Sequence, residues 1–109
     1  MAEGRLKHFG WGREGEGMTA AEEKAALDRY RRLFGVDDFS EVSPPPLAEI
    51  RLQPPRLRVP AALAPFCSTE AYDRVAHTYG KSFRDYAKGL VGDYAAAPDV
   101  VAYPRNEAE

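Results

Sequence analysis

The sequence predicts a mainly α chain with a Pro-rich extended arm and one short C-terminal β-strand. Three observations predict it. Apolar residues recur at helical spacing over 19–34, 69–79 and 83–90, each run preceded by a Ser or Thr able to cap it. Seven of the nine prolines fall between residues 36 and 67, and each removes an amide donor and pushes its predecessor toward extended geometry. Val100 to Tyr103 is an apolar run held between Pro98 and Pro104, the pattern of a short buried strand. The core is thin. Leu, Ile, Val and Phe number 21 in 109 residues, just below the level of about 20% at which disorder becomes a concern. The net charge of −2 removes the other half of the disorder signature. The chain is expected to fold with much irregular structure, or under a covering partner.

Taken in order, residues 1–17 hold five glycines with Phe9 and Trp11 and read as an irregular lead-in anchored by its aromatics. Thr19-Ala-Ala-Glu22 has the spacing of a capping box. Ala26, Leu27, Tyr30, Leu33 and Phe34 follow on one helical face, Arg29, Arg31 and Arg32 suit the negative helix end, and Gly35 supplies the stop. Pro44-Pro45-Pro46 and Gln53-Pro54-Pro55 read as an arm laid over another surface, with Leu47 to Leu52 as a short extended piece between them. Ser68 or Thr69 caps a run carrying Tyr72, Val75, Ala76 and Tyr79. Ser82, with Asp85 three residues on, caps the next, whose stripe is Phe83, Tyr86, Ala87 and Leu90. After the strand, Asn106 reads as the N-cap of a further helix.

Composition excludes several classes. The first fifty residues carry seven basic and ten acidic side chains and the rest eight and seven, so no basic stripe for nucleic acid is present. No apolar run approaches a membrane span, and no secretory h-region is read in residues 1–17. Cys67 is the single cysteine. It reads as a buried structural thiol without a local base, and it predicts a reducing, cytoplasmic compartment.

Few motifs carry chemistry. Gly10-Trp11-Gly12-Arg13-Glu14-Gly15 matches G-x-G-x-x-G, but Arg5 to Phe9 is too polar for the buried strand a dinucleotide fingerprint requires. A glycine-rich turn is the expected reading. Gly80-Lys81-Ser82 resembles the end of a phosphate loop, yet Val75 stands where its first glycine belongs. What remains is an anion-site candidate at the start of a helix, built from Lys81 and Ser82 with His77 nearby, set against a helix joint with a solvated lysine. His8, His77 and Cys67 have no metal-ligand spacing, so no metal is expected. Asp73, Asp85 and Asp93 form no evident acid/base pair. Arg74, Lys81, Arg84 and Lys88 read as a solvated helical face.

Two stretches resemble a known family. His77-Thr-Tyr-Gly-Lys-Ser-Phe-Arg-Asp85, followed by Pro98-Asp-Val-Val-Ala-Tyr-Pro104-Arg-Asn-Glu-Ala-Glu109, is similar to the entry into an FAD-binding domain of the p-cresol methylhydroxylase and vanillyl-alcohol oxidase type. There a PD-x-V-x-x-P strand opens the flavin domain. Lys7-His-Phe-Gly-Trp-Gly12 is similar to the opening of alkyldihydroxyacetonephosphate synthases, with Phe9 replacing one expected aromatic. The resemblance implies an N-terminal fragment of an α+β flavoprotein: residues 1–97 an extension, and 98–109 the truncated start of the FAD-binding domain. It implies FAD as the parent's cofactor and a hydroxy acid, an alcohol or an ether-lipid precursor as its substrate. The implied partner is the remainder of the same chain, its flavin and cap domains, with a homodimer left open. No catalytic or cofactor-binding residue carries over, and the segment alone is expected to bind no FAD, to pack loosely and to associate. The rival expectation is a stand-alone helical interaction module that docks through its Pro-rich arm.

Overall fold

The structure is a computed structural model that describes residues 4–109. It is mainly helical. Helix α1 spans Ala20–Phe34, α2 Ala71–Ala76 and α3 Phe83–Leu90. Strands β1, Cys67–Ser68, and β2, Val101–Ala102, form a two-stranded antiparallel sheet.

Helix α1 forms for the local reasons its sequence supplies. The Thr19 side chain accepts from the Glu22 amide at 3.3 Å, and the Glu22 carboxylate accepts from the Thr19 amide at 2.7 Å. Gly35 closes the helix in the left-handed conformation. None of its residues is buried, so its stability rests on local terms, and fifteen residues is close to the shortest helix that holds itself in water. Thr19→Ala should therefore remove about 1 kcal/mol of helix stability, read as lost far-ultraviolet ellipticity at 25 °C.

Helix α3 matches the expected 83–90 and also begins on a reciprocal capping box, between Ser82 and Asp85. Helix α2 is shorter than the expected 69–79. Its N-cap is Glu70, which offers no side-chain bond. Ser68 instead accepts from the Glu70 amide and donates to Asp73. At the other end the Thr78 hydroxyl takes the Arg74 carbonyl at 2.7 Å, and Tyr79 swings out to donate to the Asp93 carbonyl at 2.6 Å. One bond back to the preceding turn and one to backbone fourteen residues on thus replace the last turn of the expected helix.

Most of the arm has no regular secondary structure, and the piece from Leu47 to Leu52 is not the extended segment expected. Leu47–Glu49 is a 3₁₀ turn closed by the Glu49 amide on the Pro46 carbonyl at 2.9 Å. A second 3₁₀ turn, Ala64–Phe66, leads directly into β1. The single expected strand is thus one of a pair: Cys67 lies opposite Ala102 and Ser68 opposite Val101, and the Tyr103 amide extends the ladder to the Phe66 carbonyl. Asn106 starts no helix. Its side chain accepts from the Ala108 amide, and Arg105 pairs with Glu109, which makes a turn, since one helical turn does not repay its own nucleation.

The core is small. Val75 (2% exposed), Tyr94 and Val101 are the buried apolar side chains among the described residues. Phe9 and Trp11 reach this region from the lead-in, with ring centroids 4.5 Å and 4.7 Å from that of Tyr86. The lead-in is a hairpin-like turn. Glu14 donates to the Arg5 carbonyl and Lys7 to that of Gly12, and Leu6 bridges Arg13. Gly10 sits there at φ +88°, and a β-carbon on it would lie 2.7 Å from the Tyr86 hydroxyl oxygen. The glycines of the G-x-G-x-x-G match therefore serve a turn and a close approach. The chain is drawn out, with a radius of gyration of 17.9 Å against about 13 Å for an ordinary domain of 100 residues.

Candidate functional site

A cluster of hydrogen-bonded polar side chains lies where α2 meets the β1–β2 sheet. Asp73 lies on the first turn of α2, one oxygen accepting from the Ser68 hydroxyl and the other from the Tyr103 hydroxyl at 2.6 Å. Both donors come from the small sheet or its edge, so the sheet register places them. The bonds from Ser68 and then Tyr103 hold the Asp73 carboxyl below its ordinary range. Tyr103 is pushed up to about 12 by partial desolvation and then by the bond to Asp73. His77, the C-cap residue of α2, makes a 2.7 Å contact between Nδ1 and the Asp73 carbonyl oxygen, and its ring stands edge-on to Tyr103, centroids 5.6 Å apart.

The three candidate anion residues are not equivalent in space. His77 and Lys81 both line an open groove of about 380 Å³, together with Lys7, Tyr72 and Tyr103. Ser82 is not part of that lining. Its hydroxyl accepts from the Asp85 amide, and the Asp85 carboxylate accepts from the Ser82 amide. An anion arriving at the start of α3 would meet a carboxylate already occupying that position. The Lys81 ammonium donates to the Gly10 carbonyl at 2.9 Å, which ties the lead-in to the joint between α2 and α3.

Sequence reasoning missed two things. Asp73, read as having no evident acid/base partner, is the acceptor on which Ser68 and Tyr103 converge, and the sequence separation of 30 between Asp73 and Tyr103 hides the pairing. Arg74, read as part of a solvated face, is 5% exposed. Its Nε donates to the Pro98 carbonyl and its Nη2 to the Gln53 carbonyl, both at 2.7 Å. Helical spacing gave no signal of this, since Arg74 lies about 100° or more around the helix from each of Tyr72, Val75, Ala76 and Tyr79. Cys67 is half-buried in β1. Among the described residues no group of three His, Cys, Asp or Glu side chains is placed to hold a metal ion, and no helix is long and apolar enough to cross a membrane.

The linkage signs of the Asp73–Tyr103 pair oppose one another. A depressed carboxyl contributes stability that is present above its unfolded pKa, about 3.9, and is lost as pH falls below it. A raised phenol contributes stability that is present below about 10 and is lost as pH rises toward the folded value of about 12. Tyr103→Phe should reduce the alkaline loss, to which the raised Tyr79 and Tyr94 also contribute, and should make the acid loss smaller and complete at higher pH, both read from urea midpoints across pH.

Fold and site together define a small, mainly helical chain whose polar centre is a hydrogen-bonded Ser–Asp–Tyr cluster flanked by a histidine. No protein-family model, no curated protein and no solved structure matches it.

Proposed function

We propose that this chain is the N-terminal segment of an FAD-binding oxidoreductase of the p-cresol methylhydroxylase and vanillyl-alcohol oxidase type, akin to the alkyldihydroxyacetonephosphate synthases. The parent enzyme acts on a hydroxy acid, an alcohol or an ether-lipid-type substrate. The segment packs on the flavin and cap domains and performs none of the chemistry itself.

The observation that carries this reading is the apolar surface left over after the segment has folded. On α1, Tyr30, Leu33 and Phe34 stand exposed, Phe34 at 62%, and the Phe34 ring continues to Phe39, 6.2 Å away between centroids. Contiguous aromatic surface of this kind marks a face that another surface covers. The resemblance of residues 77–85 and 98–109 to a flavin-domain entry names that surface.

The residues present do not build a flavin cradle of their own. A pyrophosphate site needs a glycine turn opening onto a helix N-terminus, whereas Gly10 to Gly15 close a hairpin-like turn against Tyr86. No step of the reaction is therefore assigned to this segment. The decisive test is to isolate from its own cells the polypeptide that carries this sequence and record its visible spectrum. Flavin bands are expected. A colourless chain of this size held to a protein partner would overturn the proposal in favour of an interaction module docking through its Pro-rich arm.

A further inference from the structure

Arg74 is a buried cation with no direct ion pair among the described residues; the carboxylate that feels its charge, Asp99, is hydrogen-bonded to Arg56 instead. The two hydrogen bonds of Arg74 go to the neutral carbonyls of Pro98 and Gln53. A guanidinium has five donor hydrogens; the Nε hydrogen and one on Nη2 are used. The end-on edge, made by Nη1 and the second hydrogen of Nη2, makes no hydrogen bond among the described residues.

Arg74 also lines an open groove of about 460 Å³ whose walls are Pro54, Pro55, Ala95, Ala96 and Ala97. One carboxylate, Asp99, lines the same groove, but Arg56 already holds both of its oxygens at 3.0–3.3 Å. The groove thus contains two guanidinium groups and one carboxylate. Its fixed charges sum to +1, with the Asp99 charge shared between Arg74 and the solvent-exposed Arg56. Burying a cation costs several kcal/mol unless it is paired, and carbonyl dipoles offset only part of that.

We propose that this groove is a carboxylate-binding site, with the end-on edge of Arg74 as its anchor and the alanine and proline walls receiving a short apolar stem. A planar carboxylate matches the guanidinium edge with two parallel hydrogen bonds. A net charge of +1 favours a monoanion over a phosphate dianion, and the small wall residues leave room for a two- or three-carbon body. The ligand is a free short-chain acid or the side chain of a glutamate, which share this chemistry.

The test is a titration of the full chain, followed by amide NMR, with propionate, with acetyl-glutamyl amide and with inorganic phosphate at constant ionic strength. Saturable shifts at the Ala95–Ala97 amides are expected from one or both carboxylates and not from phosphate. Tighter binding of propionate assigns a small acid, and tighter binding of the glutamyl compound assigns an acidic side chain. Ala96→Trp, at an exposed wall position, should block the groove and weaken binding about tenfold, and Arg74→Lys should do the same through loss of the fork. Absence of saturation by either carboxylate, equal saturation by phosphate, or unchanged binding in the Ala96→Trp chain would overturn the proposal.

Discussion

Replacing Arg74 with alanine should lower the stability of the α2–α3 region by about 3 kcal/mol, the scale of losing two hydrogen bonds from a charged donor. The side chain joins three segments distant in sequence: α2, the Pro-rich arm at Gln53 and the approach to β2 at Pro98. Truncation frees both carbonyls and leaves a void beside Val75, the most buried side chain of the core. Arg74→Lys should recover only part of the loss, because an ammonium is a point charge and cannot span both acceptors as the planar fork does. Urea unfolding of wild type and both variants measures this. Three coincident midpoints would show that the bridge carries no stability.

Gly89→Val should cost about 2 kcal/mol, within the range for overpacking a filled interior. Gly89 lies in α3, where an ordinary residue would favour the helix by up to about 1 kcal/mol. Tertiary packing outweighs that preference. A β-carbon there would lie 2.8 Å and 2.9 Å from two atoms of the Phe9 ring and 3.0 Å from the Tyr94 hydroxyl. Phe9 cannot retreat freely, since its ring is packed on Tyr86. Valine should therefore expel the lead-in from α3, lowering the urea midpoint and weakening the near-ultraviolet signal of the aromatic cluster. An unchanged near-ultraviolet spectrum would place the Phe9 contact outside the forces that hold the lead-in.

Both positions show which features were legible in the sequence. Helices α1 and α3 were, because a capping box is a contract between residues three apart and operates whatever lies around it. The turn character of Gly10 to Gly15 was legible for a similar reason: Arg5 to Phe9 is too polar for a buried strand, and the structure has left-handed glycines at positions 10, 12 and 15. Strand β1 was not legible. Two residues have no periodicity, and Cys67 finds its partner Ala102 only across the whole α2–α3 unit. The shortened α2 has the same origin, since the bond from Tyr79 to the Asp93 carbonyl competes with a helical turn that local spacing favours.

The candidate site divides along the same line. His77 and Lys81 were identifiable by type and do share a groove, whereas Ser82, chosen with them, is committed to its own helix cap. Asp73 was read as having no evident acid/base partner, and Arg74 as a solvated charge because charge alone predicts solvent. Their roles come from acceptors and donors 5 to 30 residues away.

Local chemistry, then, determined the two capped helices, the glycine turn and the course of a proline-rich arm, and the count of only 21 Leu, Ile, Val and Phe residues set how little core there would be. Tertiary structure alone decided where that core lies, that a charged arginine is buried next to it along an open groove, and that the aromatic face of α1 stays outside it. The physical reason is one of range. Caps and turns are set by bonds across a few residues, while burial and pairing are settled only when distant segments compete for the same small volume.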